Sequence, residues 1–584
     1  MHGLSVEEIQ KTEVWQLYEK GREYHRRTGI YIDTDRNHRF FNGNQWEGAK
    51  LGDVEPVQKN FIKPIVKYKV AVIHNNLYTA NFSSTNYGNR ELYRQSDRFC
   101  KMLNRYIKHV WEKDKIDEKG RDITKDAAIN DEGIIYVDFD VENMLPVSEV
   151  VDKSDIYYGN ENDSDIQKQP FIIIRKRMPV SAAREFAFAH GVSLEETLNI
   201  VGDTDNYEQG GEAAKIETDD MATIIFKMYK MGGTVHFAVA SRLVDIVRDE
   251  DTGLTLYPVA HFLWEKKKGS ARGEGEVRNL IANQIEVNRT EMRRVIVVKQ
   301  QAYPMKVVDT SKVSNTNALN TVGGVIKTNG QPVDDVKKVV GILNPAQMSP
   351  DVKMLEDDLI NMSRELAGAG DIATGQVDPE DASGRAILAV QQASQAPMTE
   401  QREGYKFLLE DWAKICLEYL VVHSPDGVML EEEVKDPMTG ENTVQMVNVP
   451  QSVLKGLKAT VRIDITPKGP FDKFAQEQTI ENLLIHGYFT AQKVGELRAY
   501  AEALDDDSVA PKQKILDICD KIEADQQKIA QIKAKAQAMQ QAAQMFMNNG
   551  LDGQASQIAD ARMQMMEGQQ PSMGQMEPAA EVPA

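Results

Sequence analysis

The chain has 584 residues, a formal charge of −20, 41% apolar and 27% charged residues. At about 150 residues per domain, this length suggests roughly four structural units, and the composition excludes a wholly disordered or collagen-like chain. The acid excess argues against a protein that coats the DNA backbone, because phosphate neutralisation needs clustered lysine and arginine. It leaves open a protein that lets DNA slide past ungripped.

Residues 5–27 read as a helix carrying Ile9, Trp15, Leu17, Tyr18 and Tyr24. Over 58–79, Ile62, Ile65, Val66, Val70, Ile73 and Leu77 recur at three- or four-residue steps, one apolar stripe on a helix. Residues 91–113 repeat the pattern, and a third such helix spans 116–130. The period then drops to two: Ile135, Val137, Phe139 and Val141 alternate with polar residues, which predicts a strand. Phe171–Arg175 predicts another strand, and 179–201 two short helices broken near Gly191. Met221–Met231 and Thr234–Ser241 read as strands joined by Gly232-Gly233, a pair suited to a turn with two positive φ angles. A further strand pair is expected around Asp249–Gly253. The Gly-rich stretch Gly269–Gly275 reads as a hinge before a long helix, 276–301, which Tyr303-Pro304 ends.

Short strands and loops are expected over 305–345. A second long helix follows over 350–367, then a polar loop with Gly368, Gly370, Gly375 and Pro379. A third long helix, 383–422, is punctuated at Pro397; strands return over 428–466 and helices over most of 472–547. In the last helix Ile522, Ile529, Ala536 and Ala543 lie seven apart. Ile532, Met539 and Phe546 follow the same interval three positions after Ile529, Ala536 and Ala543, a heptad seam with Asp525 as its polar member. That seam suits packing between subunits or a helical pair within one chain. Residues 568–584, rich in Gln, Met, Gly and Pro, read as disordered. The fold class expected is α+β.

Cys100, Cys416 and Cys519 are too far apart in sequence for a CxxC zinc site, and a disulfide framework is not expected. A reducing cytoplasm suits them. No signal peptide and no membrane span are expected, since no apolar run approaches 18 residues. There is no GxxxxGK[ST] phosphate loop, no HExxH, no GxSxG and no kinase signature. Asp33–Asn44 begins like a calcium loop, but has His38 at the sixth position and Asn44 at the twelfth, so it is rejected. The carboxylates Asp371, Asp378, Glu380 and Asp381 share one Gly/Pro loop, where solvated acids are the ordinary case. No catalytic residue, metal site or cofactor is expected.

Three stretches carry a family resemblance. Phe40-Phe41-Asn-Gly43-Asn-Gln45-Trp46 is followed by Gln58-Lys-Asn60-Phe-Ile62-Lys-Pro64-Ile65-Val66. Gly273-Glu-Gly275-Glu-Val277-Arg-Asn-Leu280 leads to Gln284 and Asn288 on the next helix. Ala382-Ser383-Gly384-Arg385-Ala386 opens the third long helix. In this order, over residues 36–545, they resemble the portal (connector) proteins of tailed bacteriophages. The resemblance implies a ring, twelve subunits in the virion at one capsid vertex, assembled in the host bacterial cytoplasm. Double-stranded DNA would pass through it without sequence-specific contact.

By the same resemblance, the chain divides into a mixed α/β wing (1–270 and 425–470), stem helices (271–302 and 349–367) and a small β-rich clip (303–348). A tunnel loop (368–383), a spine helix (384–424), a helical crown (471–550) and a tail (551–584) complete it. The tunnel-loop carboxylates Asp371, Asp378, Glu380 and Asp381 would face DNA, with Arg385 as a partner, and the heptad would pack crown helices. Terminase, head-completion or neck proteins, and the major capsid or scaffold protein are the implied partners. Two alternatives stand beside this reading: a capsid- or scaffold-associated assembly protein without a DNA channel, and a hydrolase with an unrecognised site.

Overall fold

The structure is a computed structural model. It describes residues 11–50, 55–85, 90–203, 220–321, 323–330, 339–343, 347–369, 396–435, 442–456 and 459–467, with isolated positions in 519–541. The chain forms two compact units, residues 1–466 and 467–584. Nearly all described residues belong to the first.

The first unit opens with two helices, α1 (Glu13–Thr28) and α2 (Ile30–Asn42), hinged on Gly29. Thr12 caps α1 through its hydroxyl, which accepts from the Trp15 amide at 3.2 Å. Helix α2 carries no counterpart among the sequence expectations; Gly29 and Gly43, both at positive φ, mark its ends. Helix α3 (Ile62–His74) is shorter than the stripe over 58–79 suggests, because strand β1 (Asn76–Ser84) follows directly. There Tyr78, Ala80 and Phe82 alternate inward at a period of two, which the helical pattern masked. Helices α4 (Arg90–Lys113) and α5 (Ile116–Asn130) match their expected spans closely.

Two antiparallel sheets follow. The three-stranded sheet has the order β3-β2-β9, with β2 (Glu132–Asp140) central between β3 (Leu145–Val151) and β9 (Val259–Leu263). The five-stranded sheet runs in chain order through β4 (Ile156–Tyr158), β5 (Phe171–Pro179), β6 (Met221–Met231), β7 (Thr234–Ala240) and β8 (Asp245–Asp251). Helices α6 (Val180–Ala189) and α7 (Leu194–Thr197) lie between β5 and β6 in sequence. Gly232 and Gly233 make the β6–β7 turn with φ of 66° and 98°. The sheet is covered on both sides: Ile225 and Ala238 pack with Trp15 and Tyr18 of α1, while neighbouring Ile224 and Val239 pack with Ala183 and Ala187 of α6. The strand pair expected around Asp249–Gly253 does not form. β8 pairs back onto β7, and the chain then crosses to the other sheet as β9.

Helix α8 (Glu276–Ala302) and helix α9 (Asp351–Leu366) pack as an antiparallel hairpin. Between them, β10 (Met305–Val308) pairs with β11 (Val340–Leu343), Met305 opposite Leu343. Helix α10 (Thr399–His423) starts after a 3-10 turn at Ala396–Met398, where Pro397 sits; the expected first half of this helix lies outside the described residues. Then come the hairpin β12 (Val428–Lys435) and β13 (Asn442–Val449), helix α11 (Gln451–Gly456) and β14 (Ala459–Pro467), which pairs with β1. One continuous apolar core joins α3, α4, α5, the three-stranded sheet, the start of α8 and α10, with Trp264 and Trp412 fully buried in it.

Candidate functional site at the root of the helical hairpin

Helix α8 leaves the globular body through Gly269–Gly275, the stretch the sequence suggests as a hinge. It is instead pinned. A Cβ at Gly273 would lie 2.6 Å from the Glu265 carbonyl, and one at Gly275 would lie 2.9 Å from the Asp131 amide. These glycines serve close backbone contact rather than flexibility.

Just before Gly273, Arg272 is buried, and all three of its guanidinium nitrogens donate. Nη1 bonds Glu132; Nε and Nη2 bond the two oxygens of Glu161 at 3.0 and 3.1 Å. Nη2 also reaches the Ile156 carbonyl at 3.1 Å and His25 Nε2 at 2.9 Å, and the guanidinium lies 4.9 Å from the Tyr158 ring. Glu132 accepts further from the Tyr158 hydroxyl at 3.1 Å and bonds His261 Nε2 at 2.9 Å. Burial pushes the Glu132 carboxyl up, but Arg272 and His261 outweigh it and hold it well below the usual carboxylate range. Burial and the Arg272 charge both drive His25 toward its neutral form. One guanidinium neutralising two carboxylates, with every donor used, is an arrangement that holds segments together rather than one that turns over a substrate. It ties α1, β2, β4 and the approach to α8 at one point.

The next layer is built from residues that carry the family resemblance. The Gln284 side chain receives the Phe61 amide at 3.0 Å and donates to the Lys59 carbonyl at 2.9 Å. Asn288, one turn on, receives the Lys59 amide at 3.1 Å and the Gln284 amide at 2.9 Å, and donates to Gln45. Gln45 in turn donates to the Phe40 carbonyl at 2.9 Å, and Asn60 to the Phe41 carbonyl at 3.0 Å. The indole of Trp46 donates to Val57 at 3.0 Å. Two stretches more than 200 residues apart thus form one polar clamp, and Gln284 and Asn288 are buried in it. Spacing of i and i+4 puts both amides on one face of α8.

Lys69 and Glu276 form a buried pair at 2.5 Å beside the clamp. Farther along the hairpin, Glu356 of α9 is fully buried and receives Lys59 at 2.9 Å and Arg294 of α8 at 2.6 Å; Asn283 donates to Ser363 at 2.9 Å. Burial raises the Glu356 carboxyl, and these two cations more than offset it, leaving it below its ordinary value.

Of the residues singled out in the sequence, Asp371, Asp378, Glu380, Asp381 and Arg385 lie outside the described residues, as does the 551–584 tail. Of the heptad, Ile522 is described, on a helix and 37% exposed; Ile529, Ile532, Ala536, Met539, Ala543 and Phe546 are not. A side chain at Gly368, where the Gly/Pro loop begins, would lie 3.5 Å from Pro397. The strands β10 and β11 are exposed, with Met305 at 72% and Ile342 at 58%. Sequence reasoning missed Arg272, Glu132 and Glu161; the available signal was a charge placed between glycines (Arg272) and one opening an apolar strand (Glu132). Among the described residues, no group of three or more His, Cys, Asp or Glu side chains could hold a metal ion, and no helix is long and apolar enough to cross a membrane.

No curated protein matches the chain. A model of the phage P22-like portal protein family matches residues 21–575, nearly the whole chain. The chain therefore belongs to the P22-like phage portal protein family.

Proposed function

From this membership we propose that the protein is the subunit of a ring, twelve copies around, at one vertex of a phage capsid. The ring conducts double-stranded DNA during packaging and ejection. It is a structural part with no catalytic residue, metal or cofactor of its own. The observation that supports this most is the long α8/α9 hairpin, rooted in the body by the Gln45–Gln284–Asn288 clamp and carrying an exposed two-stranded sheet beyond its far end. A rigid spoke with a small tip suits a channel wall that meets other proteins at one end.

In this reading the wing is 1–270 with 425–470, the stem 271–302 with 349–367, and the clip 303–348. The tunnel loop is 368–383, the spine 384–424 and the crown 471–550. The clip docks terminase and later the head-completion or neck proteins, and the wing and crown meet the capsid or scaffold protein. An acidic chain suits the task, because a lumen lined with cations would bind each passing phosphate and stall the duplex. The carboxylates Asp371, Asp378, Glu380 and Asp381, with Arg385 beside them, face the DNA.

Electron microscopy of the purified chain is the test: class averages are expected to show a ring with a central hole, and averages without a hole would refute the channel. Replacing Asp378, Glu380 and Asp381 by Lys is expected to leave rings intact and slow DNA passage most at low salt. Unchanged packaging there would remove the loop from the channel wall.

A further inference from the structure

Helices α3 and α5 leave a groove of about 530 Å3 between them. Lys67, Val70, Ala71 and His74, on one face of α3, line one wall; Arg121, Asp122 and Lys125 of α5 line the other. Phe41 of α2 and Val66, both buried, form the floor with half-buried Val70. His74 Nε2 lies 3.0 Å from Thr124 Oγ1 and ties the two helices. From Lys63 to His74, α3 rises about 16 Å, or three turns.

Charge in the groove is unbalanced. Lys67, Arg121 and Lys125 are exposed, and Lys63 and Lys125 lie 5.6 and 5.8 Å from the Phe41 ring centroid. None of these four cations forms an ion pair with a carboxylate among the described residues, although Lys115 and Lys119 nearby pair with Glu118 and Asp114. Asp122 is the one carboxylate in the lining. Asp117 and Glu118 sit in the first turn of α5, where its N-terminal dipole favours them. Asp126, next to Lys125, is pushed up to about 7 by burial and then by Asp152, so it offsets little near neutral pH. Burial and Arg121 keep His74 neutral there. A chain with 89 acidic and 69 basic residues thus gathers four cations around one apolar slot.

That combination selects a ligand class. A nucleic-acid backbone would meet the cations but carries no apolar group to cover Val66, Val70 and Ala71. A helix with acidic residues beside an apolar row supplies both, and such helices dock in grooves through anchors one turn apart. We propose that the α3–α5 groove docks an acidic amphipathic helix of another protein, its apolar row seated on Val66, Val70 and Ala71 and its carboxylates facing Lys67, Arg121 and Lys125. The inference is read from a single chain and does not depend on the ring reading.

The test uses the full chain and a fluorescein-labelled synthetic helical peptide, leucines along one face and glutamates flanking them, followed by fluorescence anisotropy. Saturable binding that weakens with added salt is expected. Lys67→Glu with Lys125→Glu is expected to weaken it about tenfold or more. Ala71→Trp, which fills the slot without changing its charge, is expected to weaken it comparably. These three positions are exposed. Should a variant fail to fold by circular dichroism, probe variants on the wild-type chain decide: serine in place of the leucines, or lysine in place of the glutamates, is expected to abolish binding. No binding by the wild type, equal binding of the serine peptide, unchanged affinity in either folded variant, or displacement of the peptide by duplex DNA would each overturn the proposal.

Discussion

The two ends of helix α8 differ in what surrounds them. From Glu276 to Thr290 it buries Val277, Leu280, Ile281, Gln284, Val287 and Asn288, and it belongs to the same core as Trp264 and Trp412. From Glu291 to Ala302 none of its residues is fully buried, and Val298 is 62% exposed. The proximal half is fixed by folding, whereas the distal half and α9 offer surface that the single chain does not use. Substitutions in the root should cost stability, and substitutions on the outer hairpin should cost assembly.

Removing Arg272 should break the root most severely. Arg272→Ala strands the buried carboxylate of Glu132 and removes the partner of half-buried Glu161, a loss of about 3–5 kcal/mol for an uncompensated buried charge, read as a lowered urea midpoint of the dissociated chain. Acid should next loosen the core where His74 of α3 meets Thr124 of α5 and Tyr405 of α10. Burial lowers His74 to about 4, with Arg121 adding to the shift. Its folded value lies below the unfolded one, so its contribution is complete above pH 6.5 and disappears as pH falls toward 4. Roughly 3 kcal/mol is at stake by linkage. His25 shifts in the same direction. Urea midpoints at pH 7 and pH 4.5 should differ accordingly, and His74→Gln should flatten the difference.

A smaller cost is expected in the clamp. Gln284→Leu leaves the Phe61 amide and the Lys59 carbonyl without the partner that Gln284 provides, about 1–3 kcal/mol by the penalty for buried unsatisfied groups. The smallest effect sharpens the contrast: Met362→Ser on the outer face of α9 should change the stability of the dissociated chain by no more than about 0.5 kcal/mol, yet weaken assembly. Equal losses of stability at Gln284 and Met362 would erase the distinction between root and outer hairpin.

Long single-period segments were legible in the sequence. The spans of α5, α8 and α9, and the β6–β7 turn at Gly232-Gly233, follow from apolar spacing and glycine chemistry alone. What failed was local ambiguity. At 76–84 Leu77 continues the helical stripe by spacing, yet it is 37% exposed and the strand turns Tyr78 inward instead, so the period-two alternation of Tyr78, Ala80 and Phe82 is hidden behind an apolar residue that suits the helix. At 269–275 the glycines invite a hinge reading, because the Asp131 backbone that crowds both Gly273 and Gly275 is distant in sequence. The same distance hid the pairing of Arg272 with Glu132, 140 residues away. Gln284 and Asn288 were legible as family residues, but their clamp on Gln45 and Lys59 emerges only when the two stretches are brought together.

The central claim, a closed ring of identical subunits, is tested most directly by native mass spectrometry of the full chain at micromolar concentration. The account predicts one dominant species at an integer multiple of 65.6 kDa, twelve copies in the assembled ring. A single species near 65.6 kDa across salt conditions would contradict it.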